Sequence, residues 1–224
     1  MSEVIITVRG EHETRIAPEE ATVRLTVRAE GPERGAVVER IVGLSEPLRD
    51  DLAVRKAQGA VREWSSQSVS VWANRPWNDQ GRQLALVHYA SVELSATFTD
   101  FGALSLWITD AAARDGVQID AVSWQLTPAT RKATEADVAA RAVSVAVDRA
   151  NAYAAAIGLS TVTALEIADL GLLTDGGQPG PVPLARAAKA MMFATADAGA
   201  GPSMELHPED ILVTAGVEAR FSAR

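Results

Sequence analysis

The sequence contains no cysteine. Disulfides, thiolate nucleophiles and cysteine-built zinc sites are therefore excluded. Histidine is scarce: His12, His88 and His207 are the three in the chain, and no His-x-x-x-His or His-Glu-x-x-His spacing occurs. Glu11-His12-Glu13 alternates along a predicted strand, so His12 points away from both acids. No metal site and no cofactor is expected. No apolar stretch approaches the ~20 residues needed to span a bilayer. No run of Lys and Arg occurs either, and the formal net charge is −8. Such a balance repels a nucleic-acid backbone, which is held by basic surfaces. Met1-Ser2-Glu3 leads straight into Val4-Ile5-Ile6-Thr7-Val8, with no basic region, apolar core and small-residue cleavage site. A cytoplasmic location is the expectation.

Motifs of catalysis are missing as well. There is no Gly-x-Ser-x-Gly elbow, Walker loop or Gly-x-Gly-x-x-Gly after a strand. Gly43-Leu44-Ser45-Glu46-Pro47 reads as a helix break. Gly176-Gly177 and Gly199-Ala200-Gly201 read as loop punctuation. Asp50-Asp51 and Glu19-Glu20 are adjacent acids, and chain neighbours rarely point at one centre, so solvated charges are the plainer reading.

What remains is an ordinary globular chain. Its 224 residues, 47% hydrophobic and 22% charged, suffice for a core without staples. Residues 4–16 and 21–29 alternate as strands, and Ala17-Pro18-Glu19-Glu20 between them reads as the turn of an antiparallel pair. In the second strand Ala21, Val23, Leu25 and Val27 face one way, and Thr22, Arg24, Thr26 and Arg28 the other. Val38, Ile41, Ser45, Leu48 and Leu52 recur at helical spacing. Gly43 and Pro47 interrupt them, so a kinked or broken helix is expected between about 33 and 56, with Ser45 as a cap. Strands follow at 61–73 and 84–98. Asp100 caps a helix from 101 to about 114 that buries Leu104, Trp107, Ile108 and Ala111. A strand at 117–126 leads through Thr127-Pro128 to a helix over 128–157. Its stripe is Val138, Ala142, Ala146, Ala150, Tyr153, Ala154 and Ile157, and Gly158 ends it. Strands at 161–172 and 211–221 complete the chain. The class is α+β: a mixed, mainly antiparallel sheet or sheets covered by helices, in the order ββαβ-βαβαβ-long loop-β. A single domain over 1–224 is expected, with a long arm or loop at 174–208.

Several stretches together resemble the SIMPL-domain family, catalogued as of unknown function. Ile6-Thr7-Val8-Arg9-Gly10-Glu11 and Ala17-Pro18-Glu19-Glu20-Ala21-Thr22-Val23 look like the family's V-x-G-E-G … P-D-x-A-x-V entry. His88-Tyr89-Ala90-Ser91-Val92-Glu93-Leu94 looks like its G-Y-x-x-S strand. Arg141-Ala142-Val143, Ala146, Arg149-Ala150, Tyr153-Ala154 and Ile157-Gly158-Leu159 look like its Ala-rich helix running into glycine. The strand Ile211-Leu212-Val213-Thr214-Ala215-Gly216-Val217 also fits. The chain departs at His12 and His88, where the family usually has glycine, at Glu19, where it usually has Asp, and in lacking the usual signal peptide. The resemblance implies a helix layer on a sheet and assembly into large homo-oligomers. It also implies a loose link to oxidative or envelope stress for bacterial members and to kinase signalling for an animal one. It offers no catalytic residues.

Two segments stand out as candidate contacts. The loop Asn74–Gly81 is flanked by Trp72 and carries Trp77, with Arg75 and Arg82 close by; such an aromatic–arginine tip can bind a small ligand or a peptide. In the arm, Leu184, Ala188, Met191 and Met192 fall on one face of a short predicted helix, and Phe193 on another. An apolar helix this short needs cover, so docking on a second copy is expected. The functional expectation is a non-enzymatic, self-assembling protein with a structural or stress-related role. The alternatives are a ligand- or peptide-binding module using the Trp72–Arg82 hairpin, or a hydrolase whose site forms between subunits.

Overall fold

The structure is a computed structural model that describes residues 3–173 and 206–224. The elements run β1 (Val4–Ile16), β2 (Glu20–Gly31), α1 (Arg34–Ala57), β3 (Val61–Asn74), β4 (Val87–Phe98), α2 (Phe101–Ala112), β5 (Val117–Gln125), α3 (Pro128–Ala156), β6 (Val162–Asp169) and β7 (Ile211–Ala223). The α+β class and the element order are those expected. Every ladder among the described residues is antiparallel. No helix among them is long and apolar enough to cross a membrane. The expected docking residues Leu184, Ala188, Met191, Met192 and Phe193 lie outside the described residues.

The elements group into two compact units. The first contains β1, α3, β6 and β7, with strand order β1-β7-β6. Here the expected β1–β2 hairpin is corrected: β1 pairs along its whole length with β7, from Val4 opposite Ala223 to Ile16 opposite Ile211, and β2 pairs with β4 and β5. Alternation fixes which side chains share a face but not which strand lies alongside, and Ala17-Pro18-Glu19 is a link rather than a hairpin turn.

Helix α3 covers this sheet with small residues. Ala142, Ala146, Ala150 and Ala154 pack on Ile6, Val8, Val217, Ala219 and Phe221. The helix sits so close that a Cβ at Gly10 would clash with the Ala142 carbonyl and lie 2.7 Å from the Ala146 nitrogen. Arg149 Nη1 ties the two elements further by donating to the Arg9 carbonyl at 2.7 Å. Tyr153 and Ile157, expected on the buried stripe, are instead 56% and 57% exposed. Ala154 takes the place four residues after Ala150. Tyr153 is then turned away from it by about 100°, and Ile157 lies beyond the last full turn. Gly158 ends the helix at a φ of 78°, where a side chain is strained.

The second unit holds the remaining six elements, with strand order β3-β4-β2-β5. Ala21, Val23, Leu25, Val27 and Ala29 of β2 line its core, covered by α1 and α2. Helix α1 runs unbroken, so of the expected kink or break the break is corrected, and Val37 rather than Val38 joins Ile41, Ser45, Leu48 and Leu52 on the buried face. Pro47 removes one helical hydrogen bond, a cost of about 3 kcal/mol. Leu48 and Leu52 are fully buried, and each contributes about 1.5–3 kcal/mol, so packing outweighs the proline. Both Gly43, whose carbonyl loses its donor, and Pro47 are exposed, so water can supply the missing bond. Ser45 does not cap; its hydroxyl donates back to the Val42 carbonyl at 3.2 Å. Asp100 does cap α2, accepting from the Ala103 N–H at 3.0 Å, and Leu104, Trp107, Ile108 and Ala111 are buried as expected.

The Gly10 contact yields a test. Gly10→Ala should destabilise the protein by about 1–3 kcal/mol, the range for forcing a methyl into a filled core, read as a lower urea midpoint at unchanged slope. Ala146→Glu, which buries a charge on the same stripe, should cost at least as much. A Gly10→Ala protein as resistant to urea as the parent would mean that α3 does not sit this close.

Candidate functional site

In the second unit the strands that bury one face against α1 and α2 leave the other open. Period-two alternation sends Thr22, Arg24, Thr26, Arg28 and Glu30 of β2 to this open side. Register then chooses their neighbours. Glu30 lies opposite Tyr89, Arg28 opposite Ser91 and Thr26 opposite Glu93; on the far side of β4, Trp72 of β3 lies opposite Tyr89. The Trp72 and Tyr89 rings stack with centroids 5.5 Å apart and planes 15° from parallel. Arg28 is fixed from behind. Its N–H donates to the Gly116 carbonyl at 2.7 Å, and a Cβ at Gly116 would collide with the Arg28 carbonyl.

Thr26, Arg28, Glu30, Trp72, Tyr89, Ser91 and Glu93 line a groove of about 700 Å³, together with Arg40 of α1. The side chains of Arg28, Arg40, Glu30 and Glu93 are exposed. None of them forms a hydrogen bond or ion pair with any described residue. Thr26 is engaged, donating to Asp120 Oδ2 at 2.7 Å.

Further along the same face, a smaller groove of about 360 Å³ holds Thr22, Arg62 and Gln125. Five of its polar side chains are bonded within it: Thr22 Oγ1 lies 2.9 Å from Thr97 Oγ1, Gln125 donates to Thr22 at 2.7 Å, and Arg62 donates to Glu63 at 2.8 Å. Arg62 also donates at 2.7 Å to Glu20, which is only 2% exposed. The hydrogen bond to Glu63, with the charges of Glu20 and Glu63, raises the Arg62 pKa above its ordinary value despite partial desolvation. This cluster is structural glue.

The first unit carries a groove of about 650 Å³ beside Arg9, Glu11, His12 and Gly216. Arg9 Nη2 donates to Glu218 Oε1 at 2.8 Å. That bond, helped by the backbone N–H groups of Gly171 and Leu173, holds the Glu218 carboxyl below its ordinary 4.5, against desolvation. Among the described residues no group of three or more His, Asp or Glu side chains could hold a metal ion.

Of the four hairpin residues singled out in the sequence, Trp72 lines the 700 Å³ groove. Arg75, Trp77 and Arg82 are exposed in the loop that follows. That loop is organised by Asn78, whose Oδ1 accepts from the Gln80 and Arg82 N–H groups at 3.1 and 2.8 Å. A single bridge joins Trp77 to Gln83. Tyr89, Glu30 and Glu93 carry no sequence signal as groove residues, because only the β3–β4–β2 register brings them beside Trp72.

The model of the SIMPL family, described as a protein of unknown function (DUF541), matches residues 6–221. This chain belongs to the SIMPL family. A search for similar curated proteins finds no match. The SIMPL match runs through both compact units, from β1 to β7. At His12 and His88, where the resemblance implies glycine, the ladders are unbroken: His12 lies opposite Ala215, and His88 opposite Gly31 and Ala73. No described residue other than glycine has a positive φ, so neither substitution strains the backbone.

The Arg9–Glu218 pair gives a pH prediction. A carboxyl whose pKa is depressed on folding stabilises the fold above its unfolded value, and that stabilisation is lost as pH falls through the folded one. Glu218→Gln should therefore be less stable than the parent to urea at pH 7, and the gap should narrow at pH 3. A gap that stays constant across this range would mean that the pair contributes through packing alone.

Proposed function

We propose that this SIMPL protein is non-enzymatic and self-assembling, with a structural or stress-related role, and that copies associate through the free edge of β3. The observation that supports this is the composition of that edge. Unpaired strand edges are normally guarded by charge, proline or bulges against pairing with another chain. Edge strand β1 carries Arg9, Glu11, Glu13 and Arg15, β5 carries Asp120, and β6 carries Glu166 and Asp169. From Ser65 to Asn74, β3 has no charge and no proline. Past its second bulge, between Ser66 and Ser68, it runs regularly against β4 as far as Asn74. Val69 is 63% exposed on this stretch.

Two copies of β3 paired antiparallel form an isologous, two-fold contact. Centred on Ser70, that pairing sets Val69 of each copy against Val71 of the other and brings no like charges together. The reading includes no nucleic-acid partner, which the net charge of −8 supports. A cytoplasmic location stands as the expectation from the sequence. No observation on the described residues favours the inter-subunit hydrolase.

Light scattering tests the proposal. The parent should run as an oligomer, and Val69→Lys, which guards the edge, should reduce the mass per particle. Because the parent has no cysteine, Ser70→Cys supplies one thiol per chain, and mild oxidation should give a disulfide-linked dimer. A parent of single-chain mass would sink the reading. So would a Val69→Lys protein that keeps the parent's mass while Ser70→Cys fails to cross-link.

A further inference from the structure

The grooves differ in what their arginines are doing. Beside Arg62 the guanidinium is taken by Glu20 and Glu63, and beside Arg9 it is taken by Glu218. In the groove on the β2–β3–β4 face, the side chains of Arg28, Glu30 and Glu93, with that of Arg40 from α1, bond to no described residue. Two guanidiniums and two carboxylates leave the groove with no net charge. A phosphate entering it meets Glu30 and Glu93, and a cation meets Arg28 and Arg40. A neutral ligand whose groups both donate and accept suits all four. Hydroxyl oxygens accept from guanidinium N–H groups, and hydroxyl protons go to carboxylates.

The Trp72–Tyr89 stack supplies the other half of the chemistry. Aromatic faces are electron-rich, and the C–H face of a sugar ring carries the complementary partial charge. Trp72 is 48% exposed although one face of its ring stacks on Tyr89. The groove volume of about 700 Å³ falls within the usual small-ligand range of about 300–1,000 Å³. We propose that this groove binds a neutral oligosaccharide, with Trp72 and Tyr89 as the stacking platform and Arg28, Arg40, Glu30 and Glu93 holding its hydroxyls. The proposal does not rest on self-assembly, since one copy supplies every residue.

Isothermal titration calorimetry of the full chain against maltotriose, cellotriose and triacetylchitotriose tests this, with inorganic phosphate and choline as charged probes. Saturable binding of at least one trisaccharide is expected, stronger than that of either charged probe. Trp72→Ala should weaken it about tenfold, the loss of one stacking contact with its buried area. Arg28→Gln should weaken it without touching the stack. Both side chains are exposed, so thermal melts should confirm folded variants. Light scattering on the same samples separates lost binding from lost assembly. No saturation by any trisaccharide up to about 10 mM, well above a millimolar Kd, would overturn the proposal. So would tighter binding of phosphate or choline, or an affinity unchanged in both variants.

Discussion

The absence of a side chain at Gly10 lets α3 lie directly on β1, and the first unit is organised around that contact. A three-stranded sheet covered by a single helix has little apolar volume to bury. The helix compensates by approaching closely through Ala142, Ala146, Ala150 and Ala154, while the sheet supplies the bulk through Ile6, Val8 and Phe221. Dispersion attraction falls steeply with a gap of even half an ångström to an ångström, so a wider spacing would forfeit much of this core. Close packing also leaves β1 no freedom to slip. A shift of one residue against β7 would move Gly10 off the helix and bring a side chain into its place.

In the second unit the fold and the groove are two sides of the same strands. Val23, Leu25 and Val27 hold β2 under α1 and α2, and the residues between them are thereby held outward in fixed order. The rigidity that a binding surface needs comes from the core beneath it, at no further conformational cost. Gly116 adds to this from the edge, since the turn that closes on Arg28 does so only without a Cβ.

Local signals in the sequence held where nothing tertiary overrode them, and long-range ones were not available. Asp100 before Leu104, Trp107, Ile108 and Ala111 announces its helix because cap and stripe lie within four turns of one another. Pro47 misleads because the burial of Leu48 and Leu52 that overrides it is tertiary. Val37 and Val38 are adjacent and equally apolar, so only the facing strands decide between them. The stack of Trp72 on Tyr89 joins residues on neighbouring strands, and its register depends on two bulges in β3 that alternation does not reveal. The pairing of β1 with β7 joins the two ends of the family match, and nothing local to either strand names the other.

That last pairing has a bearing on synthesis. The ribosome releases β1 long before β7, and the whole of Ala17–Thr127 emerges in between. The second unit has all six of its elements at hand by the time α3 is being made. The first must leave β1 without its partner until β7 arrives. Non-local ladders of this kind close slowly. For that interval the strand that will carry Gly10 is an open template on a nascent chain, and its alternating charges, Arg9, Glu11, Glu13 and Arg15, keep it from pairing with the wrong neighbour.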